Sequence, residues 1–312
     1  MLEEFLNNIF GIAVDSPFMG MITFFIEDFT KIILLLFVMV FLIGFLRTYV
    51  SQKAIKKKLS KKGLLKYFTA SGFGTITPFC SCSSIPLFVS FIEAGVPLGV
   101  TFSFLATSPL VNEFVVALMI GLFGWKITAL YVASGMLIGI VSGIIIDKLK
   151  LERFLEINSI KNNNKNNKKY THIKQRFSFG FKEAKDVLQK LWIFIAIGVA
   201  IGAVIHNYVP TSLIENLMLK LGFFGVPLAA IFGIPLYGNG SAILPIAVEL
   251  FKKGVPLGTA LAFMMSIVAL SLPEAVILKR IMKPKLIGIY FGIVSIGIII
   301  IGYLFNIVQF LL

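Results

Sequence analysis

Gly95-Val96-Pro97-Leu98-Gly99 recurs as Gly254-Val255-Pro256-Leu257-Gly258, and Phe73-Gly74 and Pro86 recur at the same offset as Phe232-Gly233 and Pro245. An identical pentapeptide with collinear Pro and Gly on both sides of it reads as two homologous halves. The register continues through Phe104 and Phe263, after which a two-residue slip sets Glu113 opposite Glu274. Between the halves lies a Lys/Asn-rich stretch, 161–169, too polar to pack and expected to be a disordered linker. The chain therefore divides into a first repeat (1–147), a basic linker (148–190) and a second repeat (191–312).

Both halves are written for a bilayer. In 312 residues, 57% are hydrophobic and 14% charged, with a mean hydropathy of +0.93, more apolar surface than a soluble core of that length can bury. A helix crossing the hydrocarbon layer needs about 20 apolar residues. Ile32 to Leu46 with its flanks, Ile127 to Ile146, Leu191 to Val209, Gly254 to Leu278 and Ile287 to Leu312 meet that need. Glu3 and Glu4 stand where a cleavable leader would carry basic residues, so the N-terminal region reads as a short interfacial segment.

The formal charge of +14 is concentrated in three places. Arg47 to Lys66 carries eight Lys/Arg and no acid, 148–190 carries twelve against four acids, and Lys279, Arg280, Lys283 and Lys285 form the third cluster. Such clusters at helix ends are cytoplasmic anchors, which argues against nucleic acid as a partner and for an inner-membrane protein. If all three lie inside, the segment from Leu64 to Ala94 has to enter and return on one side. Gly72, Gly74, Pro78 and Pro86 break it into arms too short to span, and Pro235, Gly238, Gly240 and Pro245 do the same to Gly222–Leu250. The fold expected is all-α and polytopic: two inverted repeats, each of three transmembrane helices plus a re-entrant helical hairpin, with the Lys-rich loop cytoplasmic and the N-terminus outside. Eight full crossings in parallel halves is the alternative.

Chemistry concentrates in the first break, Thr77-Pro78-Phe79-Cys80-Ser81-Cys82-Ser83-Ser84-Ile85-Pro86, which holds both cysteines of the chain. Thiolates suit soft, thiophilic centres rather than Mg²⁺ or Ca²⁺, and trivalent arsenic carrying one organic group has two exchangeable positions that Cys80 and Cys82 would fill. Cysteine in membrane helices also serves as a small packing residue. The second break offers Tyr237, Asn239 and Ser241, the last two at the offsets of Cys80 and Cys82. Thr77, Ser81, Ser83 and Ser84 complete the candidate substrate-binding set. Glu113 and Glu274 are intramembrane acids after Ser108-Pro109 and Leu272-Pro273. Such acids are candidate proton relays, with a helix-end cap as the structural alternative; Asn112 fits either role.

The first break, together with Gly95–Gly99 and Ser108-Pro109-Leu110-Val111-Asn112-Glu113, resembles the predicted-permease family that contains the organoarsenical efflux permeases. The resemblance spans nearly the whole chain. It implies efflux of trivalent organoarsenicals such as methylarsenite, with the cysteine motif, here Cys80 and Cys82, in recognition. The family is broad, so another small solute or metal(loid) is the competing cargo. No P-loop of the form G-x-x-x-x-G-K-[ST] occurs, so a primary pump is not expected. His172 and His206 are the only histidines, too few for the metal or acid/base clusters of a membrane-embedded enzyme, and no cofactor is expected.

Overall fold

The computed structural model describes residues 17–48, 63–76, 81–155, 173–208, 222–236, 238, 240–279 and 281–309. The elements are α1 (Pro17–Arg47), α2 (Leu65–Ile76), α3 (Ser81–Glu93), α4 (Leu98–Leu110), α5 (Glu113–Lys148), α6 (Ile173–Tyr208), α7 (Gly225–Gly233), α8 (Gly240–Lys252), α9 (Leu257–Ala269), α10 (Leu272–Leu278) and α11 (Pro284–Val308). Single 3-10 turns stand at Leu151–Phe154 and Gly222–Phe224. The described part is an all-α membrane protein, in which α5, the α9–α10 pair and α11 are long and apolar enough to cross a bilayer.

The repeated pentapeptide is a helix stop followed by a helix start. Gly95 takes φ +77 and Gly254 φ +96, the left-handed conformation that closes α3 and α8. Val96 N–H reaches back to the Phe91 carbonyl and Gly95 N–H to Ile92; Val255 and Gly254 do the same to Leu250 and Phe251. This double bond pattern satisfies carbonyls that a helix end otherwise leaves open. Pro97 and Pro256 then enter α4 and α9 with φ near −56 and −55, which their rings favour. The last glycine of each motif lets two backbones touch: a Cβ at Gly99 would lie 2.3 Å from the Gly143 carbonyl, and one at Gly258 would lie 1.8 Å from the Gly302 carbonyl.

Those contacts give the direction of the chain. Gly99, Ser103 and Thr107 of α4, and Val111 just past its end, meet Gly143, Gly139 and Gly135 of α5 in descending order, so the two helices are antiparallel and joined through small residues. In α2, Tyr67 meets Asp147 at the end of α5, while Gly74 meets Phe104 and Thr107; α2 therefore runs beside α4 in the same sense. The chain reverses before α3, whose start is level with Ser108 through the Ser84 hydroxyl (2.7 Å) and whose end turns directly into α4. The pair α2–α3 is thus a hairpin with both outer ends beside Asp147. At 1.5 Å per residue its arms are about 18 and 20 Å long, short of a 30 Å hydrocarbon layer. The second half repeats the set: α7 and α8 pack on α9, and α9 on α11, as α2 and α3 pack on α4, and α4 on α5.

Three expectations change. The slip that paired Glu113 with Glu274 is absent from the packing. Offset 159 relates Gly74 to Gly233, the helix-starting residues Asn112 and Ser271, the break at Gly124 (φ +80) and the helix start at Lys283, and the close-contact residues Gly143 and Gly302. The counterpart of Glu274 is therefore Val115, and that of Glu113 is Leu272. Second, the stretch from Leu98 to Gly124, a single segment by hydropathy alone, is two helices, because α4 stops at Leu110 and α5 starts at Glu113. Third, α6 begins at Ile173, inside the span read as linker. Its first turns lie antiparallel on α1: Arg176 donates to the Thr48 carbonyl at 2.9 Å, Phe177 packs on Phe41 at 4.8 Å, and Phe181 on Phe37 at 5.5 Å. The basic composition hid a contact stripe on which Gly180 lies against Phe41 and Phe45 of α1, with Phe177 and Phe181 at its edges. Residues 1–16 and 156–172, including the Lys/Asn stretch, lie outside the described residues.

The two halves meet most extensively where α1 packs on α6, and also where α3, α4 and α5 pack on α10, α9, α8 and α11. Lys283 N–H donates to the Phe154 carbonyl at 2.9 Å, Leu155 bridges to Met282, and Phe154 has Arg153 and Lys285 over its ring. The C-terminal end of α5 is thereby tied to the N-terminal end of α11. Since Gly297 also meets Ile138, α11 and the part of α5 after Gly124, counterparts by offset, run antiparallel.

Candidate functional site

Each half carries two helix breaks at one level, and the residues between them are polar. In the first half α4 ends at Pro109-Leu110, leaving carbonyls without helical partners. Tyr131, buried on α5, donates its hydroxyl to the Leu110 carbonyl at 2.7 Å. Asn112 begins α5 by accepting the Phe114 N–H at 2.8 Å, the usual cap for an exposed first turn. The Thr107 and Ser71 hydroxyls pair at 2.8 Å, and those of Ser108 and Ser84 at 2.7 Å, all four buried. Ser84 and Ser108 fix the first turn of α3 against the end of α4.

In the second half Ser266 donates to the Ala230 carbonyl, the positional match of the Thr107–Ser71 pair. Gly238 lies against Ile243 and Ile267, which sets the second break beside the end of α9. The chain restarts at Ser271, and Glu274 follows in the first turn of α10. Glu274 is 2% exposed, and neither carboxylate oxygen has a hydrogen-bond partner among the described residues. Tyr290 on α11 is fully buried with its hydroxyl likewise unpartnered. Its ring lies 5.0 Å from that of Phe102 on α4, and Phe102 lies 5.1 Å from Phe88 on α3. This aromatic line runs from the cysteine-bearing hairpin of one half into the other half.

Of the residues singled out from sequence, Ser84 is brought to the first break. Ser81, Cys82 and Ser83 form the first turn of α3, and Ser241 is the second residue of α8, each placed in its backbone. Thr77, Cys80, Tyr237 and Asn239 lie outside the described residues. Glu113 is exposed at the first position of α5, on the far side of its break from α4; Glu274 is buried. The structure does not bring them together as a symmetric pair. Sequence reasoning missed Tyr290, Ser108 and Asp147. The signal was the repeat itself: Tyr131 and Tyr290, and Asp147 and Asn306, stand at offset 159.

Asp147 and Asn306 do related work at opposite ends of the bundle. Asp147 accepts from the Gly99 N–H and binds Lys66 (2.9 Å) and Tyr67, while Asn306 accepts the Gly258 N–H at 2.7 Å. Each supplies the cap that proline at the helix start cannot. A cleft of about 340 Å³ beside Asp147 is lined also by Leu98, Ile146, Lys150, Leu151 and Glu152. It opens at the basic end, a helix length from the breaks, and is not their cavity.

The family model described as "Predicted permease" matches residues 17–307. The chain belongs to this permease family. It is similar to a Streptococcus mutans protein named as a two-component membrane permease complex subunit, 24% identical over 56% of this chain and 58% of that protein. The UPF0718 protein YcgR of Bacillus subtilis is 23% identical over 64% of this chain and 68% of its own. A UPF0718 protein of Methanocaldococcus jannaschii is 22% identical over 85% of this chain and 92% of its own. No solved structure matches the permease. The broken helices thus belong to a membrane permease.

Proposed function

We propose that this permease is a secondary carrier that exports trivalent organoarsenicals such as methylarsenite through a site between the two sets of breaks. The observation that carries the reading is the placement of Cys82 in the first turn of α3, a turn held against the broken end of α4 by Ser84 and Ser108. Irregular backbone at membrane depth is tolerated where it lines a cavity or is buried in protein. Broken helices meeting near the midplane are where carriers of inverted design hold cargo. The antiparallel run of α5 and α11 supports inverted repeats, and with them the hairpins as re-entrant, the halves as 1–147 and 191–312, and the basic clusters as cytoplasmic with the N-terminus outside.

The chemistry is a ligand exchange. Each of the two As–OH bonds of methylarsenite breaks, the leaving hydroxide takes the proton of a thiol, and two As–S bonds form to Cys80 and Cys82 with release of two waters. Tyr237, Asn239 and Ser241 of the second break, with Thr77, Ser81, Ser83 and Ser84 of the first, would surround the methyl-bearing arsenic with hydroxyl and amide groups. Because exchange of thiol for hydroxide moves no net proton, a gradient has to act through a separate acid.

The test is uptake of methylarsenite into everted membrane vesicles by wild type, Cys80→Ser and Cys82→Ser at matched expression. Saturable accumulation lost in either variant is expected. A wild type that accumulates none removes the arsenic assignment and leaves another small solute as cargo. The name of the streptococcal relative favours a second reading, a subunit that needs a second membrane protein. Flux by the purified chain alone in liposomes excludes that requirement.

A further inference from the structure

We propose that Glu274 and Tyr290 form the proton site that powers this permease, Glu274 carrying the proton and Tyr290 receiving the charge it leaves behind. The proposal rests on the carrier reading above and assigns its coupling to one acid, with Glu113 and Asn112 left to begin α5. Glu274 is enclosed on α10, which packs on α3 and α6. An ionised carboxylate without a donor or counter-charge in such a place costs several kcal/mol, so the group is the neutral acid in this conformation. Among the described residues no hydrogen bond reaches either of its oxygens. Tyr290 on α11, fully buried with its hydroxyl unpartnered among the described residues, is within electrostatic reach. The side chains of Cys82 and Glu93 on α3 and of Lys190 and His206 on α6 lie outside the described set.

Comparison of the halves isolates the feature. At offset 159 the first half has Val115 and Tyr131, both buried, and the Tyr131 hydroxyl is consumed by the Leu110 carbonyl. In the second half valine is replaced by an acid, and the matching hydroxyl is left with no partner among the described residues. A metal ion is a poor occupant, since Na⁺-like cations want several oxygen ligands and three oxygens are offered here. A proton needs one. When the site opens, the acid O–H breaks, its electron pair stays on the carboxylate, the proton passes to entering water, and the Tyr290 O–H turns to donate to the anion. Through Phe102 and Phe88, movement of Tyr290 is felt at the hairpin that carries Cys82.

Infrared spectroscopy of the full-length chain in liposomes, without cargo, reads the acid directly. Wild type at pH 7 is expected to show the carbonyl stretch of a neutral carboxylic acid that Glu274→Gln lacks and Tyr131→Phe keeps. Absence of that band from wild type, or its survival in Glu274→Gln, overturns the proposal. On raising the pH, the band of Tyr290→Phe is expected to persist roughly one to two pH units further than that of wild type, the size of one hydrogen bond to a charged group. Titration at the wild-type pH refutes the part given to Tyr290. Wild type alone tests the acid if a variant fails to fold. Since the band needs no cargo and methylarsenite uptake needs no band, failure of the proton site and failure of the carrier reading are distinguishable.

Discussion

Replacing Gly258 with Ala adds one methyl group to the permease, at a place where the structure leaves none. The new Cβ would lie 1.8 Å from the Gly302 carbonyl and 2.8 Å from the Asn306 backbone nitrogen, both of them backbone atoms that no rotamer change can move away. Ordinary contact begins near 3.4 Å, so α9 and α11 have to part by about 1.6 Å (3.4 minus 1.8). Overpacking of this kind costs about 1–3 kcal/mol. Separation also stretches the bond from Gly258 N–H to Asn306, 2.7 Å in the native packing, worth about 0.5–1.5 kcal/mol. The expected loss is therefore about 1.5–4.5 kcal/mol. The control is Gly288→Ala on α11, where a Cβ meets nothing within 4 Å and helix propensity gains up to about 1 kcal/mol. Fluorescence-detected size-exclusion chromatography after graded heating in detergent compares the two. Gly258→Ala should melt well below wild type and Gly288→Ala at or above it. Equal melting of the two variants would refute the close approach of α9 to α11, and with it the registration of the repeats.

Asp147→Ala should destabilise more than Asp147→Asn, because asparagine still accepts from Gly99 as Asn306 does from Gly258, whereas alanine also strands half-buried Lys66; the gap expected in the same melting assay is about 1–2 kcal/mol, and equal loss would sink the capping role. Lys150→Cys and Lys285→Cys, introduced after both native cysteines are changed to serine, should react with a membrane-impermeant maleimide in everted vesicles only, and Lys126→Cys in right-side-out cells only. Labelling of all three from one side would refute the inverted arrangement.

How far the sequence reached can be judged at single residues. The pentapeptide repeat announced two halves, and the structure supplies the reason: Gly at the left-handed stop, Pro at the next start and Gly at a backbone contact are demanded locally, so they survive in both halves as letters. The hairpins were legible for the same reason, since Gly and Pro inside an apolar run cannot be silent. Glu113 and Glu274 show the limit. Matching two acids by letter required a slip, whereas packing preserves geometric position, and position pairs Glu274 with Val115. The first turns of α6 were hidden by their lysines, because whether a basic helix is buried on one stripe depends on what lies beside it.

Composition and local rules alone determined that this chain is helical, lives in a bilayer, is built twice and breaks its helices within Leu64–Ala94 and Gly222–Leu250, because each of those follows from hydropathy or from the φ angles that Gly and Pro accept. Tertiary structure decided which acid is buried, which tyrosine is left without a partner among the described residues and which ends of the halves are tied together. Those outcomes turn on contacts between residues more than a hundred positions apart, such as Phe102 with Tyr290 and Phe154 with Lys283, and no rule of local sequence carries the distance between them.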